Sequence, residues 1–209
     1  MTPYRPARAL LCALVALVLA ALVAGCGGNP VTQPESHVAE NTPALRQLKQ
    51  QAGIQPCRRA TAPVARNGGL PDVTLPCLGG GHAVAMARLR GPMVVNLWAQ
   101  WCAPCREELP HYEAFARKYA GRVPVLGVDW QDTQPRRALQ LAKQTGVTYP
   151  QVADVERRIR AVGNALPNLV LVDRRGDVVF QQAVQIHSLT QLERLVRRHL
   201  HVAKPEAAA

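Results

Sequence analysis

The sequence predicts an α/β fold: a central mixed β-sheet flanked by helices in three layers, with a β-hairpin extension on its N-terminal side. Three observations carry that prediction. Strand-like and helix-like segments alternate between residues 91 and 146, which implies parallel strands joined by crossover helices. The segment "NLVLVDRRGDVVFQQAV" (168–184) then places two apolar runs around the turn "DRRGD", an antiparallel pair. Finally, "GPMVVNLWA" (91–99) is apolar almost throughout, as expected of a strand buried on both faces.

Taken in order, residues 1–25 stand outside this fold. "MTPYRPAR" carries two arginines and no acid, and an uninterrupted apolar run follows over residues 9–25, the layout of an export signal. Its end, "LVAGC", resembles the lipobox of bacterial lipoproteins, which implies cleavage before Cys26 and lipid on that cysteine; the alternative is a retained anchor. Residues 26–55 read as a flexible membrane tether with a short helix near "TPALRQLKQQAG". The domain is expected over 56–203, followed by a disordered tail at 204–209.

Within the domain, "LPDVTLPCL" and "HAVAMARL" read as short strands around "GGG". "CREELPHYEAFARKYAG" has Leu109, Tyr112, Phe115 and Tyr119 at helical spacing, with Pro110 expected to kink the helix. "RVPVLGVDW" is a second buried strand, "QPRRALQLAKQTG" a helix and "ERRIRAVG" a short helix. "SLTQLERLVRRHL" closes the fold with one apolar face.

The formal charge is +11, with 25 Lys and Arg against 14 Asp and Glu. The arginines come as scattered pairs with no interleaved aromatics, which argues for a solvated surface rather than a nucleic-acid site. Cys12 leaves with the signal, so four cysteines remain beside the lipidated Cys26: Cys57, Cys77, Cys102 and Cys105. Outside the cytoplasm an even count reads as disulfides. No second CxxC or paired histidines supply a zinc site, and no metal or other cofactor is expected. A disulfide between Cys102 and Cys105 closes too short a loop to serve as a staple. A redox role has a mechanism. The strand delivers Cys102 to its C-terminal end and Pro104 starts the next helix, so amide N–H groups and the helix dipole favour a thiolate there. Cys102 is then the exposed nucleophile and Cys105 the resolving thiol.

"VVNLWAQWCAPCREELP" resembles the thioredoxin superfamily, in particular the membrane-anchored bacterial TlpA- and ResA-like thiol–disulfide oxidoreductases. The resemblance spans about residues 70–202 and implies a thioredoxin-like sheet with the dithiol at the start of a long kinked helix. It also implies a cis-proline facing the disulfide. "GNALPNLVLVD" offers Pro167 for that position, with Leu166 presenting backbone to substrate, although Asn168 stands where the family usually has Thr or Ser. Asn96 occupies a site where thioredoxins often carry a buried aspartate, and an amide cannot take a proton. Glu108 matches the carboxylate of the ResA-like branch, which implies that it handles the proton of Cys105. Trp101 is expected to line the apolar approach together with Pro104, Trp98 to be core, and Trp130 either to shield the site or to pack.

Cys57 and Cys77 are expected to form a structural disulfide, worth about 3 kcal/mol by loop entropy; a second exchange pair is the rival. The expected function is extracytoplasmic disulfide exchange with exported cysteine-containing proteins, including reduction of apocytochrome c thiols. A membrane redox partner would supply or remove electrons, and a monomer is expected. A DsbE-like disulfide-forming oxidant is the near alternative. A copper chaperone using His187 as distal ligand is a more remote one.

Overall fold

Residues 38–159 and 164–203 are described by the computed structural model. Helix α1 (Pro43–Gln51) comes first, capped by Thr42, whose hydroxyl accepts the Leu45 N–H at 3.2 Å, with Pro43 just inside the start. Leu45 and Lys49 are buried, and Leu45 joins the main core. The tether expected over 26–55 therefore does not reach residue 55, because the compact unit begins at Val38. The signal segment, Cys26, residues 26–37, residues 160–163 and the tail at 204–209 lie outside the described residues.

Strands β1 (Thr74–Leu75) and β2 (Val84–Ala85) pair antiparallel as a short hairpin, the extension expected from the sequence. The second strand is shorter than "HAVAMARL" suggests, since Met86–Arg88 turn into a 3-10 helix. Then follow β3 (Met93–Trp98), helix α2 (Ala103–Lys118), β4 (Val125–Trp130), helix α3 (Pro135–Gln144), β5 (Gln151–Asp154), β6 (Asn168–Val172), β7 (Val178–Gln182) and helix α4 (Leu189–Leu200). The five-stranded sheet has the order β5–β4–β3–β6–β7. β3, β4 and β5 run parallel, while β6 and β7 are antiparallel.

Strand β5 has no counterpart in the sequence reading; four residues after Pro150 are too short a run to show a period. The helix expected over 156–163 is not seen in its described part. There the Asp154 carboxylate accepts the N–H groups of Arg158 and Ile159, at 2.7 and 2.9 Å, and holds a turn instead.

Alternation along the strands separates two cores. Val94, Trp98, Val125, Ala153, Leu169 and Leu171 face the side covered by α1, α2, α3 and α4. Val95, Leu97, Leu126, Val128, Val152 and Val170 face the other side, covered by Leu75, Val84, Met86 and Ile159. This is the mixed α/β sheet that the sequence predicts, and it brings the C-terminal ends of β3 and β4 to one edge.

Candidate active site

The loop after β3 carries Trp101 and Cys102 to that edge. Cys102 is the N-cap of α2, and its sulfur accepts the Cys105 N–H at 3.3 Å. Pro104 falls in the first helical turn, where its missing N–H costs nothing. The helix runs on through Pro110, whose ring removes the donor that would otherwise reach the Arg106 carbonyl. Cys102 and Cys105 are joined as a disulfide. Cys102 is 5% exposed and Cys105 0%. The first cysteine is thus not the freely exposed thiol expected, although it is the more accessible of the two. The helix N-terminus beside its sulfur, with the Cys105 N–H donating to it, favours the thiolate.

Two contacts that the sequence reading missed clamp the active-site loop. The Gln100 N–H donates to Asp132 Oδ2 at 3.1 Å, and Arg106 Nε donates to the Gln100 carbonyl at 2.7 Å. Asp132 also accepts the Gln134 N–H at 2.8 Å, which ties the loop to the start of α3. Beside it, burial and then the negative charge of Asp132 hold the Asp129 carboxyl well above the usual carboxylate range.

Glu108 lies three residues beyond Cys105 on the same helix, so the two side chains share a face. It is 0% exposed. Its Oε2 accepts the Ile186 N–H at 2.9 Å, while Oε1 has no hydrogen-bond partner. Burial pushes the carboxyl up to about 8, against the lowering effect of the Ile186 N–H. Tyr112, one turn further along, is also buried, and burial followed by the Glu108 charge pushes its phenol up. Gln185 ties the same loop to α2, donating to Glu107 Oε2 at 2.7 Å.

The peptide bond between Leu166 and Pro167 is cis. Pairing of Leu97 with Asn168 in the β3–β6 ladder puts Pro167 level with the end of β3, at the edge that carries the disulfide. Pro167 is buried and Leu166 half-buried. Trp101 is 50% exposed and donates its indole N–H to the Gln131 carbonyl at 3.2 Å. Trp98 is core, as expected, and Trp130 is buried with the Arg157 guanidinium 5.1 Å from its ring centroid. His187 is exposed beside Ile186, its backbone N–H donating to Gln191 Oε1. Cys57 and Cys77 form the second disulfide, linking the segment after α1 to the end of β1.

A disulfide between cysteines separated by two residues, at the carboxyl edge of such a sheet, defines a class, the thiol–disulfide oxidoreductases of the thioredoxin superfamily. More particularly, the chain belongs to the AhpC/TSA family, whose model matches residues 68–181. It is 26% identical over 149 residues to the thioredoxin-like protein YneN of Bacillus subtilis, covering 69% of this chain and 79% of the relative. It is 28% identical over 132 residues to the thiol-disulfide oxidoreductase ResA of Halalkalibacterium halodurans, covering 61% of this chain and 71% of the relative. The fold is shared with MTB dsbF, at a TM-score of 0.55 and 24% identity, covering 66% of this chain and 98% of that one. The protein is a thiol–disulfide oxidoreductase of the ResA and DsbE type.

Proposed function

We propose that this chain is exported, anchored by lipid on Cys26 to the outer face of the cytoplasmic membrane, and reduces disulfides in exported proteins. The observation that carries the direction is Glu108, a buried carboxyl on the face of α2 that bears Cys105. A reductase must deprotonate its second thiol inside a mixed disulfide. A carboxyl pushed up to about 8 is matched to that thiol far better than an ordinary glutamate.

In this cycle the Cys102 thiolate attacks one sulfur of the substrate disulfide, forming a mixed disulfide and expelling a substrate thiolate, which takes a proton from water. Glu108 in its ionised form accepts the Cys105 proton, and the Cys105 thiolate attacks Cys102. The Cys102–Cys105 bond forms, the second substrate sulfur leaves, and the proton held by Glu108 follows it. Two electrons have passed to the substrate, so a membrane redox partner must return two. The exposed Trp101 and the backbone of Leu166 border the entry for an extended cysteine-containing segment, and Pro167 lines the same edge. Apocytochrome c thiols suit this description by the family resemblance.

The contact from the Cys105 N–H to Cys102 favours a second reading. A strongly stabilised Cys102 thiolate would make the protein a disulfide-forming oxidant. The reduction potential against glutathione separates the two. A value near about −270 mV supports the reductase and one near about −120 mV the oxidant. Anchoring is tested by Cys26→Ala: release from membranes or arrested processing supports lipidation, and unchanged size and membrane association refutes it.

A further inference from the structure

The second disulfide is built unlike an inert staple. Lys49, on α1, is 6% exposed, and its ammonium donates to Cys77 Sγ at 2.9 Å and to the Gly80 carbonyl at 2.8 Å. Gly80 has φ +90, a left-handed backbone that turns its carbonyl toward this nitrogen. At Gly79 a Cβ would approach Lys49 Cβ to 2.9 Å, so the "GGG" turn closes tightly over the lysine. Among the described residues, no carboxylate pairs with this ammonium. A buried cation without a counter-ion is costly, and burial lowers its pKa from the ordinary lysine value. Nothing about a purely structural disulfide needs such a group. A thiolate on Cys77 does.

The partner sulfur has the complementary environment. Cys57 Sγ lies 3.2 Å from the Gln151 carbonyl oxygen, where a thiol hydrogen would point once the bond opens. Cys57 sits in an irregular segment between exposed residues, with Pro56 on one side and Arg58 and Arg59 on the other. Cys57 and Cys77 are each 2% exposed, and of the two sulfurs Lys49 donates to Cys77 Sγ alone.

We propose that Cys57–Cys77 is a second exchangeable redox site, reduced by a dithiol that attacks Cys57 and expels Cys77 as a thiolate paired with Lys49. In the first step a donor thiolate bonds to Cys57 Sγ, the Cys57–Cys77 bond breaks, and its electron pair stays on Cys77. In the second step the other donor thiolate attacks the donor sulfur of the mixed disulfide and releases Cys57, which takes and keeps one proton, its S–H then donating a hydrogen bond to the Gln151 carbonyl. The donor ends as a disulfide, the pair has gained two electrons, and the second donor proton goes to solvent. Because Lys49 belongs to α1, the same event changes how α1 is held against the "GGG" turn.

The test uses the full chain carrying Cys102→Ser and Cys105→Ser, equilibrated with mixtures of reduced and oxidised dithiothreitol at neutral pH. Alkylation and mass spectrometry count the free thiols. In the protein with Lys49 the pair is reduced without denaturant, and the reduced form shows the ultraviolet absorbance of a thiolate. Lys49→Met is expected to move the equilibrium at least about tenfold toward the disulfide and to abolish that absorbance. Lys49→Arg, which keeps the cation, stays near the parent. If Lys49→Met does not fold, Lys49→Gln, which retains a donor for the Gly80 carbonyl, gives the same comparison. An equilibrium within about twofold of the parent, or reduction seen only in denaturant, overturns the proposal and leaves the pair a staple.

Discussion

The Ile186 N–H donates to Glu108 Oε2 at 2.9 Å, so the buried carboxyl on the Cys105 face of α2 is anchored by the loop that leads into α4. That single bond does not offset the cost of burying the charge, and the carboxyl is pushed up to about 8. The folded state therefore holds a proton that the unfolded chain releases near 4.5, the ordinary value of a glutamate. Stability from this group is complete below 4.5 and falls as pH rises toward 8, with a slope of about 1.4 kcal/mol per pH unit. Glu108→Gln should remove that slope. It should match the parent near pH 4.5 and exceed it by several kcal/mol at pH 8, measured by urea unfolding across the range. It should also slow resolution of mixed disulfides at alkaline pH, since an amide accepts no proton. Parallel stability curves for the two proteins would show that Glu108 is not the titrating group.

A second relationship spans three strands. Gln151 on the edge strand β5 reaches over Gly127 of β4 so that its Oε1 accepts the Trp98 indole N–H of β3 at 2.9 Å. A Cβ on Gly127 would overlap the Gln151 side-chain amide. Gly127→Ala must displace Gln151 and leave a buried indole N–H without its acceptor, at about 1–3 kcal/mol. The urea midpoint should fall with an unchanged m-value. A change below about 0.5 kcal/mol would mean that Gln151 has another place to go.

These two cases show why parts of the site were legible in the sequence and parts were not. The Cys102–Cys105 pair, its place at the start of α2 and the strand that delivers it are encoded within about twenty consecutive residues, so local rules suffice. The cis bond at Pro167 followed from a motif and needed only the resemblance. Gln151 and Asp132 act across strand or loop partners far away in sequence, and nothing local marks them. Lys49 was hidden differently. "RQLKQQ" falls in the stretch read as a tether with a short helix, and the partner of Lys49 is a cysteine 28 residues on. The same polarity extended the expected tether over a helix that belongs to the core.

Trp101 is the most exposed large apolar side chain among the described residues and adjoins Cys102. Its indole N–H is already used on the Gln131 carbonyl, which fixes the ring and leaves its face for a partner. Trp101→Ala should lower kcat/KM toward a protein disulfide about tenfold, the loss of one aromatic anchor. Oxidised glutathione, too small to use that surface, should be reduced at nearly the parent rate. Equal losses on both substrates would place Trp101 in organising the disulfide rather than in contacting substrate.

Asp129 and Asp132 are both buried near the active-site loop, yet opposite outcomes are expected for them. Asp132 accepts the N–H groups of Gln100 and Gln134. Asp132→Ala leaves the buried Gln100 N–H unsatisfied, which costs about 1–3 kcal/mol, removes the bond to the more exposed Gln134, and frees the loop that carries Trp101 and Cys102. Stability and the rate of disulfide exchange should fall together. Burial and the neighbouring Asp132 charge hold the Asp129 carboxyl well above the usual carboxylate range, toward the neutral form, and a neutral carboxyl has nearly the shape of an amide. Asp129→Asn should therefore stay within about 1 kcal/mol of the parent at neutral pH, and it should abolish the part of the pH dependence that comes from Asp129 charging. Thermal unfolding of both variants at neutral and alkaline pH makes the comparison. Should Asp129→Asn prove as damaging as Asp132→Ala, Asp129 is charged in the folded protein and its burial must be offset by a contact other than those described.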